Sequence, residues 1–347
     1  MAMTQQTIKR WYLVHKWTSL ISTVFLLMLC ITGLPLIFHD EIDAAMGGPK
    51  PAATVPLGAK VDLDRVVATA LKDHPGHVVT FLGWDLNEPI VAAFTAPSHT
   101  APPDALNTDM FDARTGEKLT RKAGYDSVSD FLLELHEAMF AGLPGTLFLG
   151  GMGLLLVAAL VSGVVVYVPF MRKLRFATVR KDRSTRLKWL DLHNVIGIVT
   201  LAWLMVVGVT GVINTLSVPA AALWQGSELV DMLKPYRALP PPKRLASVNL
   251  VLANALKTSP GMSPASLAFP GTAFASPRHF TVFLRGSTPV TRRLIAPRLV
   301  DAATGEVVAM RDMPLYVKTL FLSQPLHFGD YAGLPLSVPW RRRGLRN

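Results

Sequence analysis

Cysteine is almost missing: Cys30 is the single one in 347 residues. That excludes a disulfide framework, a C-x-x-C motif and covalent c-type haem attachment. Cys30 lies inside an apolar run and reads as a lipid-buried or packed thiol. Charge is also scarce, at 17% of residues, against roughly 25% in ordinary soluble domains. Sequence signatures of common chemistries are missing too. There is no G-x-G-x-x-G after a strand, no P-loop, no H-E-x-x-H and no G-x-S-x-G, so neither a nicotinamide site nor a hydrolytic centre is visible.

Apolar residues make up half of the chain and the mean hydropathy is +0.34. Three runs are long enough to cross a bilayer, which takes about 20 residues. They extend approximately over Trp17–Phe38, Thr146–Phe170 and Leu190–Leu216. The first is too long for a signal-peptide core, and no small-residue cleavage site precedes Asp40, Glu41 and Asp43. The net charge of +11 could suggest nucleic acid, but eight Lys/Arg against one acid fall between Met171 and Lys188, flanked by apolar runs. That is the positive-inside mark of a cytoplasmic loop, and no nucleic-acid partner is expected. With Lys9, Arg10 and Lys16 ahead of the first run, the N-terminus is placed in the cytoplasm and the long polar segments on the far side. The expected location is the inner membrane of a bacterium, in contact with membrane lipid.

The expected order is a cytoplasmic segment with span one (1–38), an extracytoplasmic domain (39–143) and span two (144–170). A basic loop (171–189), span three (190–216), a second domain (217–335) and a divergent tail (336–347) follow. VDLDRVVATAL predicts an amphipathic helix. HVVTFLGWD and PIVAAFTA predict strands, and DARTGE a turn. The second domain repeats that order with SVNLVLANALK, HFTVFLRG and RLIAPRLVDAATGE. The fold class is therefore an α+β membrane protein.

Landmarks recur in the two halves in one order, which predicts an internal duplication. Asp112-Ala113-Arg114-Thr115-Gly116-Glu117 matches Asp301-Ala302-Ala303-Thr304-Gly305-Glu306. Trp11-x3-His15 matches Trp189-x3-His193, and each histidine is followed at +17 and +18 by Thr-Gly. His136 and His327 are each followed at +7 and +8 by Leu-Pro. After Leu143-Pro144 comes span two, with Ser162-Gly163 near its far end. After Leu334-Pro335 a fourth span is expected, but the sequence reads LSVPWRRRGLRN. A premature end or a frameshift in the coding sequence is the favoured expectation, over a natural three-span protein.

The repeat singles out four of nine histidines. His74, His77, His99 and His279 fit ordinary surface or satisfied polar positions. His15 and His193 sit at one end of their spans, and His136 and His327 just before a span at the other side. Imidazole near lipid is costly and points to function. Its neutral nitrogen is a good axial ligand for haem iron, and helical bundles build cofactor sites from facing helices. Pairing His15 with His193 and His136 with His327 predicts two b-type haems, one near each face; hydrogen-bonding or proton-relay roles are the alternative. The Thr-Gly and Ser-Gly pairs, with Gly150, Gly151 and Gly153, would admit a flat macrocycle or a close neighbouring helix. His39 is a lower-ranked candidate for the outer site.

Together LVHKWTSLISTVFLLMLCITG, LELHEAMFAGLPG, WLDLHNVIGIVTLAWLMVVGVTG and QPLHFGDYAGLP resemble the histidine-bearing signatures of PepSY-associated transmembrane proteins. The segments ending in D-A-x-T-G-E look like PepSY domains. The resemblance implies haem on the signature histidines, in a family that includes inner-membrane reductases of ferric siderophores. Under it the expected activity is that of a haem-dependent ferric-siderophore reductase, fed by quinol or a redox partner protein. The competing expectation is a non-enzymatic protein whose domains bind or restrain a periplasmic partner such as a peptidase. A metal or siderophore transporter is a third, weakened by the lack of intramembrane acids for a coupling ion.

Overall fold

The computed structural model describes residues 3–48, 61–120, 127–171, 176–180, 183–288 and 290–329. The expected tail (336–347) lies outside them. Among the described residues the chain divides into two units, those within 3–39, 128–218 and 326–329 forming one and those within 40–127 and 219–325 the other.

The first unit is helical. Helix α1 (Gln5–Leu36) begins where the Thr4 hydroxyl accepts the Thr7 amide, twelve residues before the apolar run predicts. Helix α5 (Gly142–Met171) packs against both α1 and α6 (Thr185–Asn214), the latter capped by Ser184. All three are long and apolar enough to cross a membrane. Their outward sides carry aliphatic residues such as Val24 and Val199, each 69% exposed. Surfaces of that kind are stable only against lipid or another apolar partner. Between α1 and α5 lies the short α4 (Val128–Ala138).

The second unit is α+β. Helix α2 (His39–Met46) opens it, and α3 (Leu63–Asp73) precedes β1 (Val78–Trp84), β2 (Ile90–Ala96) and β3 (Asn107–Asp112). Helix α7 (Ser217–Trp224) passes through a π-helical turn, Gln225–Leu229, into α8 (Val230–Leu233). Then α9 (Val248–Lys257) leads into β4 (Ser263–Ala268), β5 (His279–Arg285), β6 (Ile295–Asp301) and β7 (Val307–Met310). Helix α10 (Leu315–Phe328) ends the described chain. The two polar segments share one antiparallel sheet of order β3-β2-β1-β4-β5-β6-β7, joined where β1 pairs with β4. Sheet alternation then sorts side chains to two faces. Leu82, Val282 and Leu284 face α3 and α9 in one core, while Phe283 and Leu299 belong to a second core with Trp224 and Val317.

Both D-A-x-T-G-E stretches close hairpin turns, and most of their letters have a role. The backbone amides of Asp112 and Asp301 donate to the carbonyls of Glu117 and Glu306, at 2.9 and 2.8 Å. Each Asp carboxylate accepts amides of the following residues: Arg114 for Asp112, Ala303 and Thr304 for Asp301. The threonine hydroxyls accept the glutamate amides at 3.2 Å. Gly116 and Gly305 take φ of +72° and +75°, where a side chain is strained.

Candidate cofactor-binding histidines

All four singled-out histidines belong to the helical unit. His15 is on α1, His136 on α4, His193 on α6 and His327 at the end of α10. Three are seated on a neighbouring helix in the same way. The Nδ1 of His15 lies 2.8 Å from the Ala159 carbonyl, and that of His327 lies 3.1 Å from the Val207 carbonyl. These carbonyls stand four residues before Gly163 and Gly211. His136 bonds the backbone of Leu29, four residues before Gly33, and its Nδ1 lies 2.8 Å from the Thr32 hydroxyl. Thr210 offers His327 an equivalent hydroxyl contact at 3.3 Å.

The glycines explain why the rings come so near. A Cβ on Gly33, Gly163 or Gly211 would lie 3.0, 3.0 or 3.1 Å from Cε1 of His136, His15 or His327. Each imidazole therefore lies flush on a helix backbone at a position any side chain would fill. The preceding residue, Thr32, Ser162 or Thr210, turns its hydroxyl back to the carbonyl four residues earlier, at 2.9, 2.6 and 2.6 Å. That satisfies a buried polar atom within its own helix.

A carbonyl only accepts, so in His15 and His327 Nδ1 carries the proton and Nε2 keeps its lone pair; the Thr32 hydroxyl gives its own proton to the Met28 carbonyl and so accepts from Nδ1 of His136 in the same way. That tautomer and its fixed orientation are what a metal-ligating imidazole needs. Burial, and next the neighbouring His327, push the His136 imidazole down to about 4; burial also lowers that of His327. Neutral rings are what these positions hold at ordinary pH.

His15 and His193 meet with ring centroids 6.1 Å apart and planes inclined by 62°. Two imidazoles that each put a nitrogen about 2 Å from a shared metal have centroids roughly this far apart. The second pair is marked by the effect of His327 on His136. Along α1, His15 and the Thr32-Gly33 seat of His136 are 17 to 18 residues apart, or roughly 26 Å at 1.5 Å per residue. Among the described residues no cluster of three or more His, Cys, Asp or Glu is arranged to hold a metal ion.

His39 lies 3.0 Å from the Leu36 carbonyl at the end of α1. The remaining histidines belong to the other unit. His74 pairs with Asp109 at 2.8 Å and stacks on His77, and His279 is buried against Ser276 and Tyr236. The sequence singles out the histidines and their hydroxyl-glycine partners but not the acceptors, which are backbone carbonyls. It also misses Asp191, two residues before His193, which takes a fork of bonds at 2.8 and 3.0 Å from the Arg180 guanidinium.

The chain is 28% identical to an uncharacterized protein of Pseudomonas aeruginosa over 234 residues, 62% of this chain. It spans 58% of that relative's length. The model of the PepSY-associated TM region matches residues 12–341, which include all four histidines and all three apolar helices. The protein is a multi-pass membrane protein and belongs to the PepSY-associated TM region family.

Proposed function

We propose that this protein is a haem-containing reductase of the bacterial inner membrane that moves electrons outward to a periplasmic ferric complex, such as a ferric siderophore. In this reading the N-terminus is cytoplasmic, and the sheet unit is periplasmic and built from two PepSY-like halves of a duplicated ancestor. One haem b is held by His15 and His193, the other by His136 and His327. The single observation that carries the reading is the shared seating of His15, His136 and His327. His15 and His327 have Nδ1 committed to a helix carbonyl and His136 has it committed to the Thr32 hydroxyl, and each ring has a glycine beneath it and Nε2 left with its lone pair.

The residues fit the group. A porphyrin supplies four ligands of its own, so two imidazoles complete the iron's shell and no three-residue cluster is required. Haem bound at each pair supplies a one-electron carrier, and reduction of Fe(III) to Fe(II) takes one electron. The chain's own residues orient the imidazoles, keep those of His136 and His327 neutral and hold the two sites at opposite ends of α1. The ~26 Å between those ends covers most of the ~30 Å hydrocarbon layer. Electrons would come from quinol or a redox partner protein.

Haem spectroscopy on the purified full-length protein tests the proposal. Low-spin b-type absorption is expected, and His15→Ala with His193→Ala should remove about half of it. His136→Ala with His327→Ala should remove the remainder. Absorption unchanged by all four substitutions would overturn the assignment.

A further inference from the structure

The sheet face turned away from α3 and α9 holds a cavity of about 210 Å³, lined only by residues of the second unit and almost wholly apolar. Four aromatic rings line it and meet one another edge to face. Phe81 lies 5.5 Å from Phe274 with planes inclined by 78°, and Phe274 lies 6.2 Å from Phe283 at 85°. Phe283 in turn lies 6.1 Å from Trp224 at 67°. Another wall is α10, through Val317 and Leu320. Volume limits what can enter. An apolar cavity of about 150 Å³ admits benzene, whereas sites for drug-sized ligands run to roughly 300–1,000 Å³. A single six-membered ring with a small substituent falls between the two.

Two polar residues, Gln225 and Ser266, line the same cavity. No hydrogen bond joins either side chain to another described residue. Strand alternation places Ser266: Leu267 belongs to the core beneath α3 and α9 and Ala268 to the opposite one, so Ser266 shares the face of the cavity. Gln225 is placed by the π-helical turn Gln225–Leu229, which follows Trp224 directly. Turns of that kind are rare and concentrate at functional sites. This one is anchored, because Glu228 accepts from the Ser227 hydroxyl and, at 3.0 Å, from the Tyr316 hydroxyl near the start of α10. The bond to Tyr316 ties two walls of the cavity together, so its shape is set before any ligand arrives.

We propose that this cavity binds one small neutral phenol, its ring continuing the edge-to-face series and its hydroxyl bonded to Gln225 and Ser266. A carboxylate or phosphate would give up water for an apolar chamber with no lysine or arginine among its lining residues, at heavy cost. A ring without oxygen would leave the amide and the hydroxyl unpaired. An aliphatic ring of equal size would forgo the aromatic contacts. A phenolic oxygen both donates and accepts, as the Gln225 amide and the Ser266 hydroxyl do. The inference is independent of haem.

Fluorine NMR of 4-fluorophenol with the full-length protein in mild detergent tests it, empty micelles giving the blank. Saturable binding above the blank is expected. Unlabelled phenol should displace the probe at concentrations at least about threefold lower than cyclohexanol needs, since an aromatic pair is worth that much. 4-Fluorobenzoate should bind at least about tenfold more weakly than 4-fluorophenol. Ala221→Trp, which fills the cavity from α7, should abolish the protein-dependent signal; Ala220→Phe serves from the same helix if that variant does not fold, as read by its thermal melt. The double variant Q225L/S266A should weaken 4-fluorophenol about threefold or more and leave fluorobenzene unchanged. Absence of binding above the blank, or binding undiminished in a folded cavity-filling variant or in folded Q225L/S266A, would overturn the proposal. So would equal binding of the benzoate, or a phenol that displaces the probe no better than cyclohexanol.

Discussion

Gly163→Ala is a sharp test of how the histidines are seated. The added methyl carbon would stand 3.0 Å from Cε1 and 3.2 Å from Nδ1 of His15. Carbon–carbon contact is comfortable from about 3.5 Å, so the ring must retreat by roughly half an ångström. It retreats from α5, the helix that also carries the Ala159 carbonyl, so the 2.8 Å bond from Nδ1 weakens as well. Overpacking costs about 1–3 kcal/mol and a weakened hydrogen bond about 1 kcal/mol. Alanine returns roughly 0.5–1 kcal/mol through helix propensity. The net is about 1–3 kcal/mol on the seated ring, which weakens haem retention by roughly 5- to 150-fold. Gly151 and Gly197 serve as controls, because a Cβ there meets nothing within 4 Å. Their alanine variants should bind haem as the wild type does and melt at the same or a slightly higher temperature. The assay is the haem-to-protein ratio and reduced-minus-oxidised spectrum of each purified variant. If Gly163→Ala retains haem like Gly151→Ala, the close seat has no part in holding the cofactor.

Two further expectations concern the sheet unit. The Arg114 guanidinium lowers the Asp112 carboxyl from its usual value near 3.8 to about 2. A depressed folded-state value stabilises above the unfolded pKa and is lost as pH falls through the folded one. The pair should thus contribute roughly 2 kcal/mol above about pH 4, vanishing toward pH 2; the melting gap between wild type and Asp112→Asn should shrink over that window, and a constant gap would refute the assignment. Gly305→Ala should destabilise more than Gly76→Ala: both hold left-handed φ, a strain of about 1–2 kcal/mol, but only at Gly305 would the Cβ also strike Leu250, at 3.0 Å. Equal melting shifts for the two would contradict this.

Much of this architecture is legible in the letters, and the parts that are not have identifiable causes. HVVTFLGWD announces β1 because β-branched and aromatic residues alternate between punctuating turns. SPASLA does not announce β4, although β4 lies in the middle of the sheet. It carries Pro264, which has no amide to donate, and the register shifts between Pro264 and Ser266. The apolar run of span one is visible but its start is not. Hydropathy begins at Trp17, whereas the helix begins where Thr4 caps it. At the site, histidines and hydroxyl-glycine pairs stand out by their recurrence. Their relation does not, since the acceptors Ala159, Val207 and Leu29 act through carbonyls that every residue type has. The glycines are readable as room for a macrocycle or a helix. What occupies that room is the imidazole itself.

Under the proposed haem ligation, the seat would also keep a polar ring fit for coordination where water is scarce. Protons compete with metals for an imidazole lone pair, and a ligand loses affinity by the fraction of it that is protonated. An ordinary histidine of pKa near 6.5 is about nine-tenths protonated at pH 5.5, a roughly tenfold loss. Burial and its neighbouring histidine bring His136 to about 4, where protonation at the same pH is only a few per cent. Burial would ordinarily count against a polar ring in an apolar bundle, but here the one proton the ring holds goes to the Thr32 hydroxyl, which passes its own to the helix backbone. That bond satisfies Nδ1 and leaves Nε2 as the one atom with unused capacity. A glycine beneath the ring lets the bond form without pushing the helices apart. The recurring hydroxyl-glycine pair therefore belongs to the histidine as part of one device, and the two are expected to change together or not at all.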